Sequence, residues 1–204
     1  MPVTEHRADA SEPTGSGWDR STAVLLAAYL ATSTASMALV TAAGKQAYDM
    51  TGRELDLGLL GLAEFIPAAA LVLVTGAVAD RYDRRRVGSI AVLVEALAAL
   101  LFAAYAGTDP TAIAPLLGFA VLFGVGRAFA APSLRSLPAD SVAPERLPWL
   151  VARWAITWQS AMIVGPVAAG FLYAVDVRAP YVLAAVLFGL AAVALPTVRS
   201  GAPG

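Results

Sequence analysis

There is no cysteine in these 204 residues and only one histidine, His6, which sits in a polar N-terminal stretch. Disulfides, thiolate nucleophiles and cysteine-based zinc sites are therefore excluded, and the redox compartment cannot be read from thiol usage. No cluster of ligands for a metal or cofactor is expected. Charge is scarce as well, at 14% of residues with a net charge of −1, so the basic footprint of a nucleic-acid-binding protein is missing. What fills the chain is apolar: 58% of residues are hydrophobic, well beyond the usage of soluble domains and in the range of membrane proteins.

A bilayer core about 30 Å thick needs roughly 20 apolar residues of helix, and windows of that size recur between short polar breaks. They predict spans at 23–43, 57–79, 87–106, 112–131, 150–175 and 181–198 within a transmembrane domain at 21–199. The segment 1–20, rich in Ser, Thr, Gly, Pro and charge, is expected to be a disordered tail, and 200–204 a short C-terminal tail. The apolar stretch after the first tail is too long for a signal peptide and is followed by others. Backbone amides in lipid must be satisfied within each segment and no alternating strand pattern is present, so the spans are expected to be helices.

Basic residues set the orientation. On one side lie Arg7, Arg20, Arg81, Arg84, Arg85, Arg86, Arg135, Arg146 and Arg199, and on the other Lys45, Arg53 and Arg178. The richer side is expected to be cytoplasmic, which places both termini there and makes the protein multi-pass in a cell (inner or plasma) membrane. Trp18, Trp149, Trp154 and Trp158 fall at or near the same face, where indole rings favour the headgroup region. Arg153, between two of them, reads as an interface anchor.

The stretch GAVADRYDRRRV, Gly76 to Val87, is then the cytoplasmic turn between the second and third helices. Its arginines are a topogenic cluster on charge alone, but Asp80 faces the negative end of the helix dipole and should have a partner; Arg84 is one if the helix continues. Gly76, Asp80, Arg81, Arg84 and Arg85 match the G-x-x-x-D-R-x-x-R-R signature of major facilitator superfamily transporters, with Asp83 in place of a frequent glycine. The run YDMTGRELDLGLLGLAEFIPA before it and APSLRSLPADSVAPERLP before helix five resemble the branch that contains the enterobactin exporter and related efflux proteins. The resemblance implies an inverted three-plus-three repeat of six helices, equivalent to the N-terminal half of a twelve-helix fold. It also implies a cytoplasmic latch in which Asp80 and Arg84 hold the second half, supported by Arg81 and Arg85. The chain stops at VRSGAPG after the sixth helix, so the latch partner is expected from a homodimer or a separate second half.

Gly165, Pro166 and Gly170 in GPVAAG resemble the G-P-x-x-G-G element of exporters and antiporters in helix five, with Ala169 where the family prefers glycine. Pro67 holds a similar mid-span place in helix two. Two carboxylates fall inside spans: Glu64, about 10 Å from one end of helix two, and Glu95, about 12 Å from the cytoplasmic end of helix three, at 1.5 Å per residue. An ionised carboxylate at such depth costs on the order of 2.5 to 3.5 kcal/mol, so each is expected to face a cavity, a partner or a proton. For Glu95 that partner is Arg127. Helix one carries Thr32, Ser33, Thr34, Ser36 and Thr41, hydroxyls that either bond back to the preceding turn or face substrate; Thr34 joins the two glutamates as a substrate or proton candidate.

An intramembrane serine protease of six helices is excluded because the only histidine lies in the tail. No enzyme activity is expected. The expected function is export of a hydrophobic or siderophore-like small molecule by alternating access, coupled to protons, with membrane lipid and the small-molecule substrate as partners. The alternative is a truncated, non-transporting protein that assembles with or regulates a full-length relative.

Overall fold

The computed structural model describes residues 20–141, 145 and 147–198, leaving out the side chains at 72, 73, 76, 77, 79, 80 and 138–141. It is all-helical among these residues: α1 Arg20–Thr51, α2 Glu54–Arg81, α3 Arg84–Ala106, α4 Ala114–Ser141, α5 Leu147–Val175 and α6 Ala179–Ala194, the last closed by a 3₁₀ turn at Leu195–Thr197. Among the described residues, α1, α3, α4, α5 and α6 with its final turn are long and apolar enough to cross a membrane. In α2 the sequence from 57 to 79 carries one charged residue, Glu64. Several helices outrun their apolar windows. α1 begins before residue 23 and reaches Thr51, and α4 continues to Ser141, because membrane helices extend into headgroups and water where polar residues suit them.

Neighbours in sequence are mostly not neighbours in space. α4 packs between α2 and α3, α1 packs between α5 and α6, and α3 against α6 joins the two groups. Apolar burial gives little drive inside lipid, so close van der Waals packing of small residues and interhelical hydrogen bonds hold such helices. The buried positions follow that rule: Ala28, Ala35, Ala38 and Ala42 on α1, Ala91, Ala98 and Ala99 on α3, and Ala184, Ala191 and Ala192 on α6. Ser89 on α3 donates to the Ala192 carbonyl at 2.6 Å, and Tyr181 on α6 donates to Gln46 Oε1 on α1 at 2.6 Å. Phe102 stacks on Tyr181 with ring centroids 5.3 Å apart and meets Phe119 edge-on, tying α3, α4 and α6 around one aromatic cluster.

Large aliphatic side chains point outward instead. Ile90, Leu93, Leu97 and Leu100 form an exposed stripe on α3, and Val182, Val186, Leu190 and Val193 one on α6, as lipid-facing surfaces require. α5 is more extreme, burying only Leu150, Ala161, Gly165 and Ala169. Three of these recur every fourth residue and make a single narrow seam against α1. α2 exposes Leu55, Leu59, Leu62, Phe65 and Ile66.

Candidate functional site

The site begins with glycines that let helices touch. A Cβ built on Gly124 of α4 runs into the Glu64 carbonyl oxygen of α2, and one on Gly126 meets Glu95 Cγ at 2.9 Å and the Ala91 carbonyl oxygen at 3.0 Å on α3. Any side chain at either position forces the helices apart. Arg127 follows directly, and because α4 runs from Ala114 to Ser141 it lies at mid-helix, not one turn from the end as the apolar window suggests. Its guanidinium donates to Glu64 Oε1 at 2.9 Å, with the Phe123 ring 5.9 Å away. The pair is partly covered, with side-chain exposures of 34% for Arg127 and 22% for Glu64, so it lines open space without being sealed in the core.

The space on its two sides differs. Glu64 lines a cavity of about 120 Å³ with Val40, Gly44, Leu57, Gly61 and Phe123, lying toward the α1–α2 turn. Arg127 lines a second cavity of about 80 Å³ with Thr32, Ser33, Ser36, Glu95 and Trp158, lying toward the α4–α5 connection. The ion pair therefore stands between two cavities displaced toward opposite ends of the bundle. Glu95, 2% exposed, is on the wall of the second cavity and within electrostatic reach of both Arg127 and Glu64. The expected Arg127–Glu95 pair is replaced by Arg127–Glu64, since the Gly124 contact draws α2 onto α4 beside the arginine.

A wider groove of about 520 Å³ adjoins the second cavity through Tyr29, Arg135 and Trp158, which line both. Tyr29 stacks on Trp154 at 3.7 Å between centroids with an 18° interplanar angle. Arg153 lies over the Trp149 ring at 3.8 Å, as a snorkelling interface residue does.

The remaining sequence candidates are placed as follows. Thr34 is buried at the α1–α5 seam and lines none of these three cavities; a Cβ on Gly165 meets its carbonyl oxygen at 2.9 Å and Met37 Cβ at 2.5 Å. Gly165 is thus where α5 crosses α1, while Gly170 has open space around it. Pro166, like Pro67 in α2, removes a donor from the carbonyl four residues earlier. Thr32 and Thr41 bond back to the Ala28 and Met37 carbonyls, whereas Thr32, Ser33 and Ser36 are the hydroxyl residues that reach the cavity wall.

At the α2–α3 turn, the side chains of Gly76 and Asp80 lie outside the described residues. The helix stops at Arg81, breaks at Tyr82 and Asp83, and restarts at Arg84, so residues 80 and 84 are not one turn apart on a continuous helix. Arg81 is exposed, and Arg84 and Arg85 are half-exposed with interactions of their own. Asp83 has a definite role: it is the N-cap of α3, its carboxylate accepting from the Arg85 backbone N–H at 2.9 Å.

Membrane-length helices, an intramembrane ion pair between two cavities and a basic tight turn between α2 and α3 are features of a solute carrier. The sequence model of the Major Facilitator Superfamily matches residues 22–203. The chain belongs to the Major Facilitator Superfamily. No curated protein sequence matches it. Membership in this family makes it a membrane transporter in general terms and a multi-pass membrane protein. Among the described residues, the Arg127–Glu64 pair and the groove around Arg135 are the features that sequence spacing alone did not assemble.

Proposed function

We propose that this major facilitator chain is a secondary active exporter, or one half of one, that moves a hydrophobic or siderophore-like small molecule by alternating access in exchange for protons. The observation that carries the proposal is the Glu64–Arg127 pair standing between two cavities displaced toward opposite ends of the helices. Protonation of Glu64 frees Arg127, and Glu95 on the wall of the second cavity is its next available counter-charge. One residue then reports the proton while the other keeps the arginine paired, so the barrier shifts without leaving a bare charge in the bilayer.

The neighbour pattern supports an inverted repeat: exchanging α1 with α4, α2 with α5 and α3 with α6 leaves the set of main packing partners unchanged. Pro67 and Pro166 fall on helices that this exchange relates. The exposed apolar faces of α2 and α5 meet a second half or a second copy, with Asp80 and Arg84, supported by Arg81 and Arg85, as the latch on the cytoplasmic side. Both termini are cytoplasmic in this reading. The same exposed faces favour a second reading, in which the chain assembles with a full-length relative and does not transport.

The test is a pH-gradient-driven flux of radiolabelled 2,3-dihydroxybenzoate, a catechol fragment, in proteoliposomes, with the oligomeric mass taken by light scattering in detergent. Wild type should respond to the gradient, Glu64→Gln should lose that response, and Asp80→Asn should slow flux. Gradient-independent flux in wild type, or an unchanged response in Glu64→Gln, would overturn proton coupling through this pair. A monomer without flux would favour the second reading.

A further inference from the structure

The groove beside the second cavity has a wall chemistry that the ion pair does not use. Arg135 of α4 reaches it, is exposed, and makes no hydrogen bond or ion pair among the described residues. Two other cations near the pathway are engaged, Arg127 by Glu64 and Arg153 by the face of Trp149. Around Arg135 the groove is aromatic and apolar, lined by Tyr29, Trp154, Trp158, Leu147 and Val151. The Tyr29–Trp154 stack fixes two of those rings, so the wall is preformed.

We propose that this groove binds a planar aromatic anion, its carboxylate on Arg135 and its ring against Trp158 and the Tyr29–Trp154 stack. This proposal deepens the transporter reading by naming a substrate class, and rests on it for the step after binding. A guanidinium offers a planar fork of donors that matches a carboxylate in two parallel hydrogen bonds, which a lysine or a neutral amide does not. Aromatic walls add stacking to apolar burial and select flat ligands over aliphatic ones of equal size. A cationic ligand on the same rings is disfavoured by the positive charge of Arg135. The volume of about 520 Å³ lies within the ordinary range for small-molecule sites and accommodates more than one ring. Because Tyr29, Arg135 and Trp158 also line the second cavity, a ligand seated here lies next to Arg127 and Glu95, where a change in the ion pair is felt.

Equilibrium binding of radiolabelled salicylate to the full chain in lipid nanodiscs tests this without requiring turnover. Benzyl alcohol serves as the neutral comparator and tetraphenylphosphonium as the aromatic cation. Salicylate should bind saturably, and more tightly than either comparator. Arg135→Gln should weaken it at least about tenfold, the loss expected for a charge-assisted hydrogen bond. Trp158→Ala should weaken it too, Arg135→Lys should recover only part of the affinity, and Arg153→Gln should leave it unchanged. Tryptophan-fluorescence melts identify any variant that fails to fold, and the Lys and Gln variants are read against each other. Salicylate binding that is absent, or equal in wild type and a folded Arg135→Gln, overturns the proposal, as does tighter binding of the cation. Failure of the flux assay with intact salicylate binding would instead count against the transporter reading alone.

Discussion

A close approach of α4 to α2 at Gly124 supports the central ion pair, which makes Gly124→Ala an informative substitution. A Cβ at Gly124 would run into the Glu64 carbonyl oxygen and lie 3.0 Å from the carbonyl carbon and 3.2 Å from the Cα of Glu64. These are backbone atoms within a helix and cannot turn aside as a side-chain tip does. Ordinary contact begins near 3.4 Å, so α2 and α4 must part at this crossing. The 2.9 Å Arg127–Glu64 hydrogen bond spans the same two helices, so parting them strains it. Overpacking costs about 1 to 3 kcal/mol, and loss of a hydrogen bond to a charged group about 1.5 to 3 kcal/mol before discounting for partial exposure. Against these stands a gain of about 1 kcal/mol from replacing glycine inside a helix. The net loss is about 2 to 4 kcal/mol, which on the scale of domains this size lowers the melting midpoint by roughly 5 to 15 °C. Tryptophan fluorescence in detergent reads the melt directly, with Gly170→Ala as the matched control because nothing lies within 4 Å of its added methyl. That control should hold or slightly raise the midpoint. Equal midpoints for Gly124→Ala, Gly170→Ala and wild type would refute the reasoning and mean that the α2–α4 crossing yields freely.

Three further substitutions test other contacts by the same melts. Gly165→Ala pushes a methyl to 2.5 Å from Met37 Cβ and 2.9 Å from the Thr34 carbonyl oxygen; it should destabilise by about 1 to 3 kcal/mol by prising α5 off α1. Asp83→Ala removes the N-cap of α3 and should cost about 1 kcal/mol, while Asp83→Asn should retain most of it. Tyr181→Phe leaves Gln46 Oε1 without its donor beside an Nε2 that is already buried without a partner. It should cost about 1 to 3 kcal/mol, and adding Gln46→Leu should recover much of that loss, because deleting both polar ends removes the unpaired group.

The sequence made the helices legible because a bilayer imposes one length and one composition on anything that crosses it. The family resemblance was legible at a turn where water, not packing, dictates residue type. Pairing was not legible, for a physical reason that Glu64 and Arg127 illustrate. They are 63 positions apart, and nothing in either local pattern states that α4 lies between α2 and α3. Their places near the cytoplasmic ends of helices three and four favoured Glu95 as the partner of Arg127, and the apolar window at 112–131 put the arginine one turn from the helix end because Ser133, Arg135 and Ser136 look like the start of a loop. In fact they continue the helix to Ser141. A usable signal was present in Gly124 and Gly126. Two glycines flanking Val125 immediately before an intramembrane arginine mark a place where two helices approach α4 closely, and each helix brings a carboxylate. The departure at Asp83 is resolved the same way. Glycine there would give the turn freedom, whereas aspartate gives α3 a cap, so the short α2–α3 connection is held by a side chain instead of backbone flexibility. A turn so fixed transmits movement of α2 to α3, and those two helices carry Glu64 and Glu95, the counter-charges on either side of Arg127. On this argument Asp83→Ala should loosen the coupling between the carboxylates as well as the fold. In the flux assay it should lower the pH-gradient response further than Asp83→Asn does, at equal amounts of folded protein.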